Sequence, residues 1–123
     1  MSPAPRPLGR LLLTGVPGWL TTALLDSLRD DPPAGLTAVR CMVLPHDLTR
    51  AASQPGQLPV PVEYVAADLR DEKALVEATK GVDTIFHAAG ILHVRRTRDW
   101  YEINTEGTRR LLNGAISGGA GRF

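Results

Sequence analysis

Leu11-Leu12-Leu13-Thr14-Gly15-Val16-Pro17-Gly18-Trp19-Leu20-Thr21 is the stretch on which the fold turns. Its three leucines form a continuous apolar run, as in a strand of a parallel sheet covered on both faces. Beyond Thr14 the residues change character, and Gly15, Pro17 and Gly18 mark a tight turn. Over residues 18–29, Leu20, Leu24, Leu25 and Leu28 recur at helical spacing, which predicts a helix with these leucines inward. A strand, a glycine turn and a helix form the first half of a βαβ unit. The turn then lies at the carboxyl edge of the sheet, where glycine admits a ligand close to the backbone and the helix offers unpaired N–H groups to a phosphate. No lysine stands nearby, which argues against a Walker-type loop.

Outward from this turn, short β-rich runs alternate with segments of helical period. Strands are expected at residues 10–14, 37–44, 60–66 and 84–88. A helix is expected at 71–80, capped by Asp71, with Leu75, Ala78 and Thr79 inward. Residues 46–59 read as short or irregular. A long helix is expected at 99–117, carrying Ile103, Gly107, Leu111, Leu112, Ala115 and Ile116 at helical spacing, and Arg122-Phe123 reads as the entry to a fifth strand. The fold class is therefore α/β, a Rossmann-like doubly wound parallel sheet that reaches about four strands within this chain. Residues 1–7, with three prolines, are expected to be a disordered lead, and residues 8–123 one folded domain.

Composition narrows the class. With 123 residues, 43% hydrophobic and 22% charged, the chain is one domain, large enough to bury a core without a metal or disulfide. Its single cysteine, Cys41, has no intrachain partner, and a reducing cytoplasm is the expected compartment. Fourteen basic and thirteen acidic residues give a net charge of +1, without the footprint of a nucleic-acid or anionic-membrane binder. Residues 11–25 carry no charge and follow Arg6 and Arg10, superficially like a signal peptide. Pro17-Gly18 interrupts that run, Asp26 follows it, and a bilayer span needs ~20 apolar residues. His87 and His93 have no Cys or carboxylate cluster to complete a metal site. Arg95, Arg96 and Arg98 read as a solvated face, and Trp100 and Tyr101 as packing residues.

Four ordered blocks carry a resemblance. Thr14-Gly15-Val16-Pro17-Gly18-Trp19-Leu20-Thr21, Ala67-Asp68-Leu69-Arg70-Asp71, the segment Gly81 to Gly90 ending Phe86-His87-Ala88-Ala89-Gly90, and Asn104-Thr105-Glu106-Gly107-Thr108 with Leu111-Leu112 stand in sequence. Together they resemble the extended short-chain dehydrogenase/reductase family, the NAD-dependent epimerase/dehydratase group, over residues 8–123. The resemblance implies strand order 3-2-1-4 and a dinucleotide cofactor, NAD or NADP. It implies a pyrophosphate at Gly15, Pro17, Gly18 and the backbone amides of Trp19 and Leu20. It further implies an adenine near Asp68 and Leu69, and a ribose along Ala88, Ala89 and Gly90. Where the family places a carboxylate or arginine for the ribose, this chain has Leu44-Pro45, with Arg40 before and His46 and Asp47 after. The choice between NAD and NADP stays open.

Two departures matter. Thr21 stands where the family has a third glycine, so the helix is expected to stand off slightly or Thr21 to tuck inward. The family's Tyr-x-x-x-Lys pair is absent from these residues: Tyr64 is followed four positions on by Asp68, and Tyr101 by Thr105. An unperturbed tyrosine titrates near ~10 and is a poor base at neutral pH. No catalytic residue is assigned, with Asn104 the candidate supporting residue. The resemblance places the catalytic groups beyond Phe123, in a chain about twice as long. The leading expectation is thus the nucleotide-binding part of an oxidoreductase or epimerase whose complete form acts on a sugar nucleotide or other alcohol or carbonyl substrate. The alternative is a non-catalytic NAD(P)-binding sensor or interaction module, self-associating through the open edge of the fourth strand. A plain structural domain without nucleotide is the third.

Overall fold

The computed structural model describes residues 3–4, 6–53 and 58–123. Strand β1 (Gly9–Val16) leads into helix α1 (Trp19–Asp30), β2 (Leu36–Val43), a 3-10 turn (Pro45–Asp47) and the short α2 (Leu48–Ala52). Then come β3 (Val62–Ala66), α3 (Glu72–Thr79), β4 (Thr84–His87), α4 (Thr97–Trp100), a π-helical segment (Tyr101–Glu106) and α5 (Gly107–Gly118). All strand pairs are parallel, in the order β3-β2-β1-β4. Of the proline-rich lead, Arg6 accepts a hydrogen bond on its carbonyl from Arg122, and Pro7 lies against Gly35. Met1, Ser2 and Pro5 lie outside the described residues, as do 54–57 within the segment read as irregular.

Strand periodicity divides the apolar residues between two layers. Leu11 and Leu13 of β1, with Val39, Cys41 and Val43 of β2, face the side covered by Leu28 of α1 and Ala51 of α2. Leu12 and Met42 face the other side, against Leu75 and Ala78 of α3 and Leu111 and Ala115 of α5. Burial on both faces explains why Leu11-Leu12-Leu13 reads as an unbroken run.

Cys41 is fully buried in the first layer, and burial pushes its thiol up to about 12. Since the thiolate is the nucleophile, the folded protein is expected to resist an alkylating reagent at pH ~8 and to react once denaturant is added. Rapid labelling without denaturant contradicts this packing.

Three residues counted at helical spacing face outward. Leu20 is exposed, and Thr21 takes the buried position in the first turn of α1, in register with Leu24, Leu25 and Leu28. In α5, Leu112 and Ile116 face outward, while Gly107, Leu111, Gly114 and Ala115 form the inner stripe. The expected continuous helix at 99–117 is interrupted by the π segment, which widens the turn where Asn104 reaches across to Ile91. As expected, the Asp71 side chain accepts the Ala74 N–H at 3.1 Å and caps α3, whose Leu75, Ala78 and Thr79 are buried.

The end of the chain approaches the outer edge of β4. Ile85 donates its N–H to the Arg122 carbonyl at 3.0 Å, a single parallel bridge. The strand edge expected to be open is therefore met at one point by the chain itself.

Candidate functional site

Strand order reverses between β1 and β4, and ligands of doubly wound sheets bind in the crevice this opens at the carboxyl edge. A cleft of about 470 Å³ lies there. Gly15, Pro17, Gly18, Leu44, Asp68, Leu69, Ala88, Ala89 and Gly90 all line it, so three of the four quoted blocks converge with Leu44 on one surface. Trp19 and Leu20 do not: their side chains point to solvent, Trp19 at 85% exposure. Only their backbone N–H groups, in the first turn of α1, remain to serve a ligand. Gly18 contributes no side-chain cap, and no acidic residue sits in that turn. The positive end of the helix is thus left open.

Gly15 makes the approach possible. Its φ is +85°, and a Cβ there would lie 2.9 Å from Ala88 C and Ala89 N. The turn consequently packs directly on the backbone that leaves β4. Thr21 ties the turn from beneath: its hydroxyl lies 2.8 Å from the Gly15 carbonyl and 3.2 Å from that of Gly18. Thr21 is fully buried, so its inward tuck is observed, and its one proton is shared between two turn carbonyls. A hydroxyl here does by bonding what a third glycine does by absence.

The floor of the cleft hangs on Thr14. Its Oγ1 accepts from the Ala88 and Ala89 N–H groups at 3.0 and 3.1 Å and lies 2.6 Å from His87 Nδ1. His87 Nε2 lies 3.0 Å from Thr108 Oγ1, which donates to the Asn104 carbonyl at 2.6 Å. Burial holds the His87 ring below its ordinary value of 6.5. An unfolded histidine therefore takes its proton first on acidification. This linkage costs no stability above pH ~6.5 and destabilises progressively as pH falls toward the folded value.

Asn104 secures the exit loop. Its Oδ1 accepts the Ile91 N–H and its Nδ2 donates to the Ile91 carbonyl, both at 2.9 Å, and Trp100 Nε1 donates to the same carbonyl at 2.8 Å. Trp100 is thus an anchor, while Tyr101 is exposed. Gly107 allows α5 to close on the cleft, since a Cβ there would sit 2.7 Å from Leu69 Cβ.

At the opposite end of the cleft stand residues whose roles were left open. Asp68 holds Arg70 with both carboxylate oxygens, at 3.0 Å to Nε and 2.8 Å to Nη2, and also accepts the Arg70 N–H at 2.9 Å. These bonds hold its carboxyl below the usual carboxylate range. A carboxylate offers about four acceptor positions, so capacity for a ligand remains. His46 and Asp47 line the same end, brought back by the 3-10 turn that begins at Pro45. Arg70, Ile91 and Ile103 also line the cleft and were not expected there; the proximity of Arg70 to Asp68 was the available signal. Arg40 is elsewhere, donating to the Ala78 and Lys80 carbonyls at 2.7 Å at the end of α3 and pairing with Glu63.

A second depression, beside the first, is lined by Arg70, Ile91, His93, Val94, Arg95, Arg96, Asp99 and Ile103. Among the described residues no cluster of His, Cys, Asp or Glu could hold a metal ion, and no helix is long and apolar enough to cross a membrane. Tyr64, on β3, is pushed up by burial, away from the range of a base at neutral pH.

Comparison with known proteins agrees with the fold. The model of the NAD dependent epimerase/dehydratase family matches residues 11–123. A 3-beta-hydroxysteroid dehydrogenase of Mycolicibacterium neoaurum is 27% identical over 127 residues, covering 94% of this chain and 31% of that protein. The crystal structure of DesIV, a dTDP-glucose 4,6-dehydratase from Streptomyces venezuelae with NAD and TYD bound, superposes with a TM-score of 0.64. It is 30% identical, with 92% of this chain and 37% of that one covered. Pen from Bacillus thuringiensis, at 19% identity, shares the fold with a TM-score of 0.77 over 93% of this chain and 35% of that chain. The chain spans about a third or less of the length of the curated relatives it matches. With a glycine turn at the β1/β4 crevice and a family match across both layers of the sheet, the chain belongs to the NAD-dependent epimerase/dehydratase family.

Proposed function

We propose that this chain binds NAD or NADP in the β1/β4 cleft, as the nucleotide-binding part of a dehydrogenase, reductase or epimerase. The observation that carries the reading is the cradle around Gly15: a left-handed glycine against the Ala88–Ala89 backbone, beside a helix N-terminus with no side-chain cap. A pyrophosphate fits there because neutral N–H donors and the helix dipole suffice for it. The adenosine is assigned to the end formed by Leu44, His46, Asp47, Asp68 and Leu69, and the ribose nearer the reacting ring to Ala88, Ala89 and Gly90. Leu44 has no polar atom beyond its backbone, which leaves His46, Asp47, Asp68 and Arg70 as the polar side chains able to tell a ribose hydroxyl from a phosphate.

When bound, the nicotinamide supplies hydride chemistry. These residues bind and orient it. Within residues 1–123 no tyrosine has a lysine four positions on, and Tyr64 is held protonated by its surroundings. The chain is thus expected to bind without turnover, and the complete protein to act on a sugar nucleotide, a steroid-like alcohol or another carbonyl compound. The interaction-module reading has less to stand on, because Arg122 already meets the β4 edge.

Calorimetric titration with NAD, NADH, NADP and NADPH tests the proposal. Saturable heat with at least one of them, competed by AMP, is expected. No heat from any, with the protein shown to be folded, overturns it.

A further inference from the structure

The bonds around His87 admit one arrangement of protons. The Asn104 carbonyl can only accept, so the Thr108 hydroxyl proton lies on that 2.6 Å bond. Toward His87, Thr108 Oγ1 is then an acceptor, and Nε2, 3.0 Å away, carries the ring proton. From the other side, Thr14 Oγ1 already accepts from two backbone N–H groups, which fills its lone pairs. Its own proton points to Nδ1 at 2.6 Å, and Nδ1 is unprotonated. Both deductions give the same neutral tautomer.

We propose that His87 is a positioning residue of the dinucleotide cradle: in its neutral, Nε2-protonated form it fixes Thr14, and through Thr14 the Ala88–Ala89 backbone that the cofactor lies against. The proposal rests on the nucleotide-binding reading above. A second ring proton, on Nδ1, would face a hydroxyl oxygen with no free lone pair. Either Thr14 gives up an Ala88 or Ala89 amide, or its bond to His87 breaks. The Gly15 turn packs on that same backbone, so the disturbance reaches the pyrophosphate site directly.

The surroundings offer the imidazolium little compensation. The Phe123 ring lies 5.9 Å away, centroid to centroid. Charged groups on the adjoining elements are engaged elsewhere: Arg109 with Glu106 at 3.3 Å, Arg110 with Glu102 at 2.6 Å, and Arg122 with the Arg6 carbonyl. On the strands, the Arg10 N–H is taken by Asp83 at the far end of β1. Burial alone displaces the His87 titration, downward.

The test needs the full chain, nitrogen-15 NMR and NADH. Between pH ~8 and pH ~5, a range that spans ordinary histidine titration, the Ala88 and Ala89 amide resonances should move with the His87 ring. NADH affinity should weaken about tenfold over the same titration, the equivalent of roughly one hydrogen bond. His87→Asn keeps an acceptor near Nδ1 and should bind NADH without that pH dependence. His87→Leu should bind about tenfold more weakly throughout. Amides that ignore the ring, or equal affinity and pH profile in wild type and His87→Leu, overturn the proposal. Absence of NADH binding at every pH overturns the cradle reading instead, while the amide titration, read without nucleotide, still decides the hold of His87 on Thr14.

Discussion

Gly15→Ala is expected to abolish measurable dinucleotide binding and to lower stability by roughly 2–4 kcal/mol, a size reached when backbone strain and a steric clash combine. Two costs act at once. A φ of +85° carries a penalty of ~1–2 kcal/mol for an L-residue. The new Cβ would also stand 2.9 Å from Ala88 C, a backbone atom that cannot rotate away as a flexible side chain would. Separation of the turn from the β4 exit widens the space in which the pyrophosphate is held and takes Thr21 and Thr14 out of register with their partners. Thermal or urea unfolding gives the stability change, and titration of the still-folded variant at low temperature gives the binding change. Wild-type affinity in Gly15→Ala contradicts the assigned site.

Leu12→Ala is expected to cost about 2–5 kcal/mol, the range for emptying a large aliphatic side chain from a close-packed core. Leu12 is 0% exposed on the central strand, between β2 and β4, and packs with Leu75, Leu111 and Ile85. Neither α3 nor α5 can collapse easily into the space, because both are already in close contact: a Cβ at Gly114 would lie 2.9 Å from Thr79 Oγ1. A loss of this size is a large share of the ~5–15 kcal/mol by which domains are stable. Urea denaturation with the slope unchanged is the check. A cost below about 1 kcal/mol would mean that the two helices do not bear on Leu12 as described.

Why the fold was legible, and where it was not, follows from which forces act locally. Residues 11–13 read correctly because burial on both faces leaves an unbroken apolar run. The glycine turn and the Asp71 cap read correctly because backbone geometry and unpaired N–H groups demand particular residue types. The inner face of α1 was misread at its first turn. Leu20 looks apolar and Thr21 polar, but the Thr21 hydroxyl finds the carbonyls of Gly15 and Gly18 in three dimensions, and a satisfied hydroxyl can be buried. The same limit applies to the last helix. Leu112 and Ile116 each stand one residue past an inner position, Leu111 and Ala115, about 100° round the helix, and the π segment before them carries no residue-type signal. Its stabilising bonds, from Asn104 to Ile91, join residues far apart in sequence.

The site divides in the same way. Residues set by backbone shape, Gly15, Gly18 and the run from Ala88 to Gly90, were identified from their blocks and lie together. His46 and Asp47 enter the cleft through a 3-10 turn, and Arg70 through its pairing with Asp68 two residues away, the one signal the sequence holds for it. The place of His87 between Thr14 and Thr108 depends on the pairing of β1 with β4.

The most direct test of the central claim is to follow the backbone amides of the nitrogen-15-labelled chain as NAD is added. The account predicts saturable shifts at Gly15, Gly18, Trp19 and Leu20, with Ala88, Ala89 and Gly90 moving at the same midpoint and Asp68 and Leu69 marking the adenosine end. Shifts confined to the Arg95–Arg96 loop, or none at saturating nucleotide, would contradict it.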